Sequence, residues 1–255
     1  MTQQEKAKQF AELHIAGTPV ILYNIWDAGT AIAVASVGAK AIASGSHAIA
    51  NAAGFEDGEL IPLELSLENA ARIVNSVTLP VTMDIETGYG DTPQDVYESA
   101  KHIIATGVVG VNIEDQVFGS DAIKDIDDQV ERISAVRKAA TDVDLNIFIN
   151  ARTDLFKNAD PANHNSTMVE TALVRAQAFA DAGANGFFVP GLRDISLIKM
   201  LTEKSPLPVN VIVLPGMDSN EVLAEAGVAR ISYGPGPYLQ MIDWLKDQAK
   251  LILSY

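Results

Sequence analysis

The chain has 255 residues, of which 48% are hydrophobic and 20% are charged, and its formal net charge is −15 at pH 7. Because α/β barrels use roughly 200–250 residues as one domain, this length predicts one large domain or two small ones. The acidic excess argues against a general nucleic-acid binder, since it repels phosphates. Cysteine is absent, which excludes disulfides, thiolate metal ligands and a cysteine nucleophile.

The N-terminal segment 1–14 is polar and amphipathic, and it lacks the apolar centre of a signal peptide. No apolar run in the sequence reaches the roughly 20 residues that a bilayer-spanning helix needs. We therefore expect a cytoplasmic protein that binds neither membranes nor nucleic acids.

Short apolar runs rich in β-branched residues recur along the chain, as expected for fully buried parallel strands. There are eight of them, at residues 19–23, 41–44, 81–86, 109–115, 146–152, 186–190, 209–214 and 228–234. Eight strands that alternate with helices predict an α/β fold of the (β/α)8 TIM-barrel type. We expect a single domain over residues 1–255 with a short N-terminal helix. An open doubly wound sheet is the alternative, but no G-x-G-x-x-G follows the first strand.

Helical signals occupy the segments between the runs. Thr92 can cap a helix that starts at Pro93, and Ser66 predicts a second helix start. His14 and His102 are expected on solvated helix faces. The same periodicity predicts further helices at 129–140, 168–182, 195–203 and 220–226.

Unusual polar residues gather where the predicted strands end, which is where a barrel of this type builds its active site. Asp84 and Glu86 end the third run, and strand alternation places them on one face. Glu114 ends the fourth run and Arg152 the fifth, while segment 56–59 after the second run adds further acids. We therefore expect several carboxylates and one arginine to meet at one rim of the barrel.

A cluster of carboxylates in an apolar barrel is costly unless a cation neutralises it. Oxygen ligands without cysteine or a His-x-x-x-His pair favour Mg²⁺ or Mn²⁺, with one acid bound directly and the others through water. The best candidates are Asp84, Glu86 and Glu114. Helix capping or ion pairing is the alternative for all of these acids, and it is as plausible as metal binding for Asp95, Asp115 and Asp154.

Two further features suit an anionic ligand. The planar guanidinium of Arg152 matches a carboxylate or a phosphate, although a structural ion pair is the alternative. The small residues Ser44, Gly45 and Ser46 let backbone N–H groups approach an anion, and a tight turn would have the same composition.

Together these segments resemble the isocitrate lyase and phosphoenolpyruvate mutase superfamily. The most specific element is Asp-Ile-Glu-Thr-Gly-Tyr-Gly at 84–90, joined by Glu-Asp at 114–115 and Ala-Arg-Thr-Asp at 151–154. Further similar stretches lie at 24–28, 44–46, 54–59, 208–210 and 214–235. The stretches at 208–210 and 214–235 resemble those of the small bacterial members of the superfamily.

The resemblance implies a barrel that assembles into a homo-oligomer, a dimer or a tetramer, sometimes with exchange of the last helix. It also implies one Mg²⁺ (or Mn²⁺) beside Asp84. Three further acids would hold the waters of that ion: Asp57, Glu86 and Glu114.

The substrate implied by the resemblance is a small 2-oxo acid that chelates the metal. Its carboxylate would lie on Arg152, and the backbone of residues 44–46 would hold the enolate oxygen. Trp26 and Tyr89 are candidates for contact with the substrate, with packing as the alternative for both. Besides Arg152, the candidates for a catalytic role are Ser46 and His47, although a structural role is the alternative for His47.

The loop after the fourth strand departs from the superfamily pattern. The lyases carry Lys-Lys/Arg-Cys-Gly-His there and the mutases carry Pro-Lys-Thr-Asn-Ser, whereas residues 114–124 hold no Cys, no His and one Lys. Ser120 and Ala122 stand at the positions of the mutase Lys and Asn. The loop therefore lacks the side chains that the lyase reaction uses and also those that the mutase reaction uses.

Decarboxylation of a 2-oxo diacid requires chiefly an electron sink, which Mg²⁺ supplies. The sequence thus predicts a Mg²⁺-dependent carbon–carbon lyase or decarboxylase acting on an oxaloacetate-like substrate through an enolate. One alternative is a P–C bond enzyme of the phosphonopyruvate hydrolase or carboxyphosphonoenolpyruvate mutase type. Another is a non-catalytic barrel with a binding or assembly role.

Overall fold

A computed structural model describes residues 1–254, so Tyr255, the last residue of the expected domain, lies outside the described residues. Its eight parallel strands form a nearly closed TIM barrel, which confirms the predicted fold class. Each strand lies inside one of the predicted apolar runs. They are β1 (Val20–Leu22), β2 (Ile42–Ala43), β3 (Val81–Asp84), β4 (Gly110–Glu114), β5 (Phe148–Arg152), β6 (Gly186–Phe188), β7 (Val209–Ile212) and β8 (Arg230–Ser232).

Each strand pairs in parallel with the next along the chain from β2 to β8, and β8 pairs in turn with β1, where Val20 lies opposite Arg230. The remaining gap, between β1 and β2, is spanned just beyond the strands by a bridge between Ile25 and Ser44. There the Ile25 amide donates to the Ala43 carbonyl at 2.9 Å. Closure at this point places the segments after β1 and β2 beside each other at the rim.

Helices surround the barrel. They are α1 (Gln3–Glu12), α2 (Ala28–Ser36), α3 (Ser46–Ala52), α4 (Leu63–Ser76), α5 (Pro93–Ala105), α6 (Ile126–Thr141), α7 (Ser166–Asp181), α8 (Ile195–Lys204), α9 (Asn220–Glu225) and α10 (Gly236–Leu253). Within residues 1–254, none of them is long and apolar enough to cross a membrane.

Two predicted helix starts have different outcomes. Thr92 caps α5 as predicted: its hydroxyl accepts from the Asp95 amide, while the Asp95 carboxylate accepts from the Thr92 amide. Asp95 is therefore a helix-capping residue. The predicted start at Ser66 is wrong, because α4 begins one turn earlier, where the Pro62 carbonyl already accepts from the Ser66 amide at 3.2 Å.

The N-terminal end of the barrel is closed by α1 and the residues that follow it. Phe10 packs edge-on against Phe148 at 5.5 Å, and the ring of His14 stacks on Phe148 at 3.9 Å. The His14 Nδ1 lies 2.8 Å from the Phe10 carbonyl oxygen, and burial lowers the pKa of His14 to about 3. The expectation of a solvated His14 is wrong because this residue follows the end of α1 and turns under the barrel. His102, by contrast, is exposed on α5.

The last helix, α10, covers little of the barrel wall. Among its residues only Pro237 and Tyr238 are buried, whereas Trp244 is 63% exposed. The outer face of β1 remains open as well: Ile21 is 46% exposed and, just past the strand, Tyr23 is 43% exposed. Both residues line a surface groove of about 510 Å³.

The closure by α1 depends on a glycine at the start of β4. A Cβ atom on Gly110 would lie 2.7 Å from Phe10 Cε1 and 2.8 Å from Thr82 Oγ1. We expect Gly110→Ala to lower the free energy of unfolding by about 1–3 kcal/mol, because such overpacking forces its neighbours to shift. Gly236→Ala is the matched control, since nothing lies within 4 Å of a Cβ there. Urea denaturation measures both, and equal stability of the two variants would contradict this packing account.

Candidate active site

A cavity of about 260 Å³ opens at the C-terminal ends of the strands. It brings together six of the predicted site residues: Gly45, Ser46, His47, Asp57, Asp84 and Arg152. Its lining also contains Asn112, which strand alternation puts on one face with Glu114, and Asn24 from the similar stretch at 24–28. Other lining residues, among them Lys157, Phe188 and Ser232, were not singled out by the sequence reasoning.

Asp84, the last residue of β3, presents its carboxylate to this cavity. Its backbone amide donates to the Ser44 hydroxyl at 3.2 Å, so Ser44 supports Asp84 from behind the lining. Burial raises the pKa of Asp84, the charge of Arg152 opposes that shift, and the charge of Asp57 reinforces it. Its Oδ1 also accepts from the Glu86 amide at 3.2 Å, so the carboxylate is buried with hydrogen-bond partners but with incomplete charge compensation.

Glu86 lies just beyond the strand, in the left-handed region at φ 51°. Because β3 ends at Asp84, strand alternation does not place Glu86, and it does not line the cavity. One oxygen, Oε2, accepts from the Glu59 amide at 2.8 Å, while the buried Oε1 has no hydrogen-bond partner among residues 1–254. Burial, with the charges of Asp84 and Asp57, raises the pKa of Glu86 to about 8.

The turn that follows is held by Glu59. Its Oε1 accepts from the amide and hydroxyl of Thr87, both at 2.8 Å, and from the Tyr89 amide at 3.0 Å. At Gly88, φ is 107°, and a Cβ atom would lie 2.9 Å from a methyl carbon of Val96. The motif at 84–90 thus contains the glycine that this turn requires, and Glu59 is a supporting residue that the sequence reasoning missed.

Arg152, at the end of β5, forms the centre of a buried charge cluster. Its Nη1 lies 2.5 Å from Glu114 Oε2, and its Nε and Nη2 donate to the two oxygens of Asp154 at 2.6 and 2.9 Å. Although burial opposes its charge, Glu114 and Asp154 raise the pKa of Arg152. Burial raises the pKa of Glu114 to about 8 despite the opposing charge of Arg152. Arg152 therefore both forms the structural ion pairs and lines the cavity.

A second ion pair lies behind this cluster. Asp115 accepts from the Asp154 amide at 2.9 Å and pairs with Arg175 Nη2 at 2.8 Å. Asp115 and Asp154 therefore form ion pairs, which was the alternative to metal binding for them. Their contacts hold the segment after β5 in place.

The cavity floor contains a polar network that the sequence reasoning missed. Asn112 Oδ1 accepts from Asn150 Nδ2 at 2.9 Å and from Arg230 Nη2 at 3.1 Å. Arg230 is 1% exposed, and its Nε and Nη1 have no hydrogen-bond partner within residues 1–254. Burial lowers the pKa of Arg230 to about 9. Arg230 also lies in an apolar run, but it begins β8, whereas Arg152 is marked by its place at the C-terminal end of a strand.

The structure does not bring Trp26 and Tyr89 to the cavity lining. Both pack beside the small buried cluster of Ile49, Ala50 and Ile61, and Trp26 lies edge-on to Tyr238 at 5.2 Å. At the cavity mouth, His47 Nδ1 lies 3.8 Å from Asp57 Oδ2, with both side chains more than one-third exposed.

Within residues 1–254, no group of three or more His, Asp or Glu side chains is arranged to hold a metal ion directly. Mg²⁺ commonly takes only one or two carboxylates and keeps several waters. Asp84 in the cavity, with the unpartnered Oε1 of Glu86 behind it, fits that arrangement. The donor set therefore fits a hydrated Mg²⁺ better than a fully protein-coordinated ion.

The barrel, with carboxylates and an arginine around a cavity at its strand ends, has the architecture of TIM-barrel enzymes, whose sites form at this face. The phosphoenolpyruvate phosphomutase family model matches residues 10–253, and the chain belongs to this family. Its homologues include oxaloacetate decarboxylases and 2-methylisocitrate lyases, which confirms the resemblance to the isocitrate lyase and phosphoenolpyruvate mutase superfamily.

Three individual matches illustrate these relationships. A crystal structure described as a candidate phosphonomutase from Burkholderia cenocepacia has 46% identity and a TM-score of 0.95, over 98% of this chain and 99% of that one. The oxaloacetate decarboxylase of Pseudomonas entomophila is 28% identical over 95% of this chain and 83% of its own length. Phosphonopyruvate hydrolase in complex with oxalate and Mg²⁺ has 18% identity and a TM-score of 0.81, over 97% and 85% of the two chains, and it shows the fold alone.

Members of the superfamily act as lyases, decarboxylases, mutases or hydrolases on oxo-acid substrates, and one structural neighbour, phosphonopyruvate hydrolase, holds oxalate and Mg²⁺. The activities of these members support the prediction that this protein is an enzyme with a small-molecule substrate.

The raised pKa values predict how the stability of the metal-free protein depends on pH. Glu86 and Glu114 have pKa values of about 8 in the folded chain, against an ordinary 4.5. The folded state therefore binds more protons than the unfolded state between those values, and stability falls as pH rises. Buried His14 acts in the opposite direction, but only below its ordinary pKa of 6.5.

From pH 6.5 to 8.5 we expect the free energy of unfolding to fall by on the order of 1–2 kcal/mol for each of the two carboxyl groups. Urea denaturation across this range with a chelator present measures the effect. Glu86→Gln should reduce the slope, whereas Glu203→Gln, on an exposed side chain of α8, should leave it unchanged. A stability that rises with pH over this interval would refute the account.

Proposed function

We propose that this protein is a Mg²⁺-dependent enzyme that acts on a small 2-oxo acid through an enolate. Its most plausible reaction is carbon–carbon cleavage or decarboxylation of an oxaloacetate-like substrate. The observation that carries the choice is the segment after β4, which contributes no acid or base to the cavity lining. Its single lysine, Lys124, donates instead to the Gln116 carbonyl at 3.1 Å.

In this proposal Asp84 binds the ion directly, and three acids hold its waters: Asp57, Glu86 and Glu114. When bound, Mg²⁺ supplies a Lewis acid that draws electrons toward the 2-oxo oxygen. The negative charge gathered around Asp84 and Glu86 supports this assignment, because a divalent cation would offset their mutual repulsion.

Arg152 orients the substrate carboxylate next to the 2-oxo group. The Nη1 and Nη2 nitrogens each retain one N–H after their contacts with Glu114 and Asp154, so a carboxylate can still be bound. Gly45 and Ser46 line the cavity, but the Gly45 amide donates to the Ile25 carbonyl at 3.2 Å and the Ser46 amide donates to the Asp84 carboxylate. In this proposal the Lewis acid, rather than these amides, would therefore stabilise the enolate oxygen.

Decarboxylation of a 2-oxo diacid breaks the bond between carbon 3 and the distal carboxylate. Carbon dioxide leaves, the electron pair forms the enolate, and a proton then adds to carbon 3. Water can deliver that proton, and His47 or Ser46 at the cavity is positioned to assist. This reaction requires the fewest side chains from the segment after β4.

A P–C bond enzyme is the second candidate. The match at 46% identity to a structure described as a candidate phosphonomutase favours it. The segment after β4 argues against it, because Ser120 and Ala122 replace the Lys and Asn of the mutases.

We further propose that the chain forms a homo-oligomer, a dimer or a tetramer. The exposed apolar side chains of α10 and the groove beside β1 are both solvent-exposed apolar surfaces. Contact between them would remove both from water. Exchange of α10 between two copies would cover both.

A substrate panel tests the proposed reaction. With Mg²⁺, we expect turnover of oxaloacetate in preference to phosphonopyruvate and 2-methylisocitrate, followed by NMR of the products. A chelator should abolish turnover, and Asp84→Asn should lower kcat/KM by on the order of 100-fold or more, since it weakens the binding of the Lewis acid. The exposed control Asp243→Asn should match the wild type.

Three results would count against the proposal. Turnover that survives both chelation and Asp84→Asn would overturn the metal assignment. Consumption of phosphonopyruvate alone would select the P–C bond enzyme. The absence of turnover with every substrate in the panel would favour a non-catalytic barrel.

Oligomerisation is tested at Trp244 on α10. We expect Trp244→Glu to shift the protein toward a smaller species in light scattering coupled to gel filtration, because it places a charge in the proposed apolar contact. Its melting temperature should also lose its dependence on protein concentration. Asp247→Asn on the same helix is the control, and a wild type that is monomeric at all concentrations would overturn the proposal.

A further inference from the structure

Lys157 reaches the cavity from the segment after β5, and neither its sequence context nor the proposed mechanism gives it a role. Its Nζ donates to Asp154 Oδ2 at 2.8 Å and to Gln116 Oε1 at 2.7 Å. An ammonium group has three N–H donors, and the third has no partner among residues 1–254. Because Lys157 lines the cavity, this donor is available to a ligand there.

The backbone of Lys157 is held in a defined place. Gly191, after β6, approaches it so closely that a Cβ atom there would lie 2.7 Å from both the Lys157 nitrogen and its Cα atom. The glycine adopts φ 91°, a conformation that other residues rarely tolerate. The lysine is therefore anchored at its main chain by packing and at its ammonium group by two acceptors.

One buried carboxylate sets the positions of two cations. Asp154 is fully buried, and its oxygens bind Arg152 at 2.6 and 2.9 Å and Lys157 at 2.8 Å. Its own amide is held by Asp115. Arg152 and Lys157 thus form a preorganised pair of cations on one side of the cavity, and both retain free N–H donors.

Phe188 and Pro190 border these cations in the cavity lining, and the Arg152 guanidinium lies 5.8 Å from the centre of the Phe188 ring. The apolar wall limits water near Arg152, whereas the Lys157 side chain is 42% exposed, so an anion bound by both is partly screened. In the proposed mechanism Arg152 holds the carboxylate next to the 2-oxo group, and no residue is assigned to the distal anionic group. A second cation beside it indicates a second negative charge on the substrate.

We propose that Lys157 binds the second anionic group of a dianionic 2-oxo acid, so that the site selects such substrates over 2-oxo monocarboxylates. The inference rests on the proposed function, and it names the substrate class of that site. The second anion is a carboxylate in an oxaloacetate-like substrate and a phosphonate in a phosphonopyruvate-like one. Lys157 is accordingly a specificity-determining residue.

The experiment compares ligands that do and do not carry the second group. In the presence of Mg²⁺, calorimetric titration measures the Kd of oxalate, of 3,3-difluorooxaloacetate and of phosphonopyruvate. In the proposed binding mode, oxalate would bind the metal and Arg152 without reaching Lys157. The other two probe a distal carboxylate and a distal phosphonate.

We expect Lys157→Met to weaken the binding of at least one distal-anion ligand by roughly 10-fold or more, while the Kd of oxalate changes by less than about twofold. The loss should shrink at high salt, because the ammonium group is partly exposed. Lys157→Arg should restore part of the affinity. Whichever of the two distal-anion ligands shows the larger loss identifies the chemistry of the second group.

Gln116→Ala tests whether Lys157 binds the ligand or only makes a structural contact. It removes one acceptor of Lys157 but keeps the cation and its contact with Asp154. If the lysine binds substrate, this variant retains the affinity for the two distal-anion ligands within about threefold, whereas Lys157→Met does not. Equal losses in both variants, or equal effects of Lys157→Met on oxalate and on the two distal-anion ligands, overturn the inference.

The same titrations distinguish a failure of the proposed function from a failure of the role assigned to Lys157. If the wild-type protein binds none of the three ligands with Mg²⁺, the proposed function and the inference fall together. If the wild type binds them and Lys157→Met binds them equally well, only the assignment of Lys157 is wrong.

Discussion

The repulsion among desolvated carboxylates at the barrel mouth is the constraint around which the site is built. Asp84, Glu86 and Glu114 all have raised pKa values, because burial disfavours their charges and each feels neighbouring acids. Arg152 offsets part of that charge, but it is itself shared with Asp154. The raised pKa values favour protons on these carboxyl groups, and in the proposed enzyme a divalent cation would take their place.

The rest of the barrel keeps these charges at fixed positions. From below, the amide network of Asn112 and Asn150, with Arg230, fills the floor, while Phe10 and Phe148 close the opposite end. Such closely packed surroundings resist rearrangement, so the charged groups cannot relax apart. A preorganised arrangement of this kind is what the proposed enolate chemistry would require.

Local pattern predicted the fold well and the site in part. The eight strands follow from continuous apolar runs, and the cap at Thr92 follows from a short-range signal that needs no tertiary contact. The start of α4 lies one turn before Ser66, because the Pro62 carbonyl accepts a helical hydrogen bond that no capping side chain marks in the sequence. The burial of His14 depends on a ring of Phe148, which is distant in the sequence. Glu86 was predicted from strand alternation, although the strand ends before it.

By itself, the sequence determined the barrel, the family motifs and the strand ends at which Asp84, Glu114 and Arg152 meet, because these depend on periodicity and on short stretches of chain. Only the tertiary structure decided which partners each charge finds: Glu59 holds the turn after β3, Arg230 lies under the floor, and Asp154 joins Arg152 to Lys157. The physical reason is that a buried charge depends on groups that pack around it from distant segments, and no local pattern encodes them.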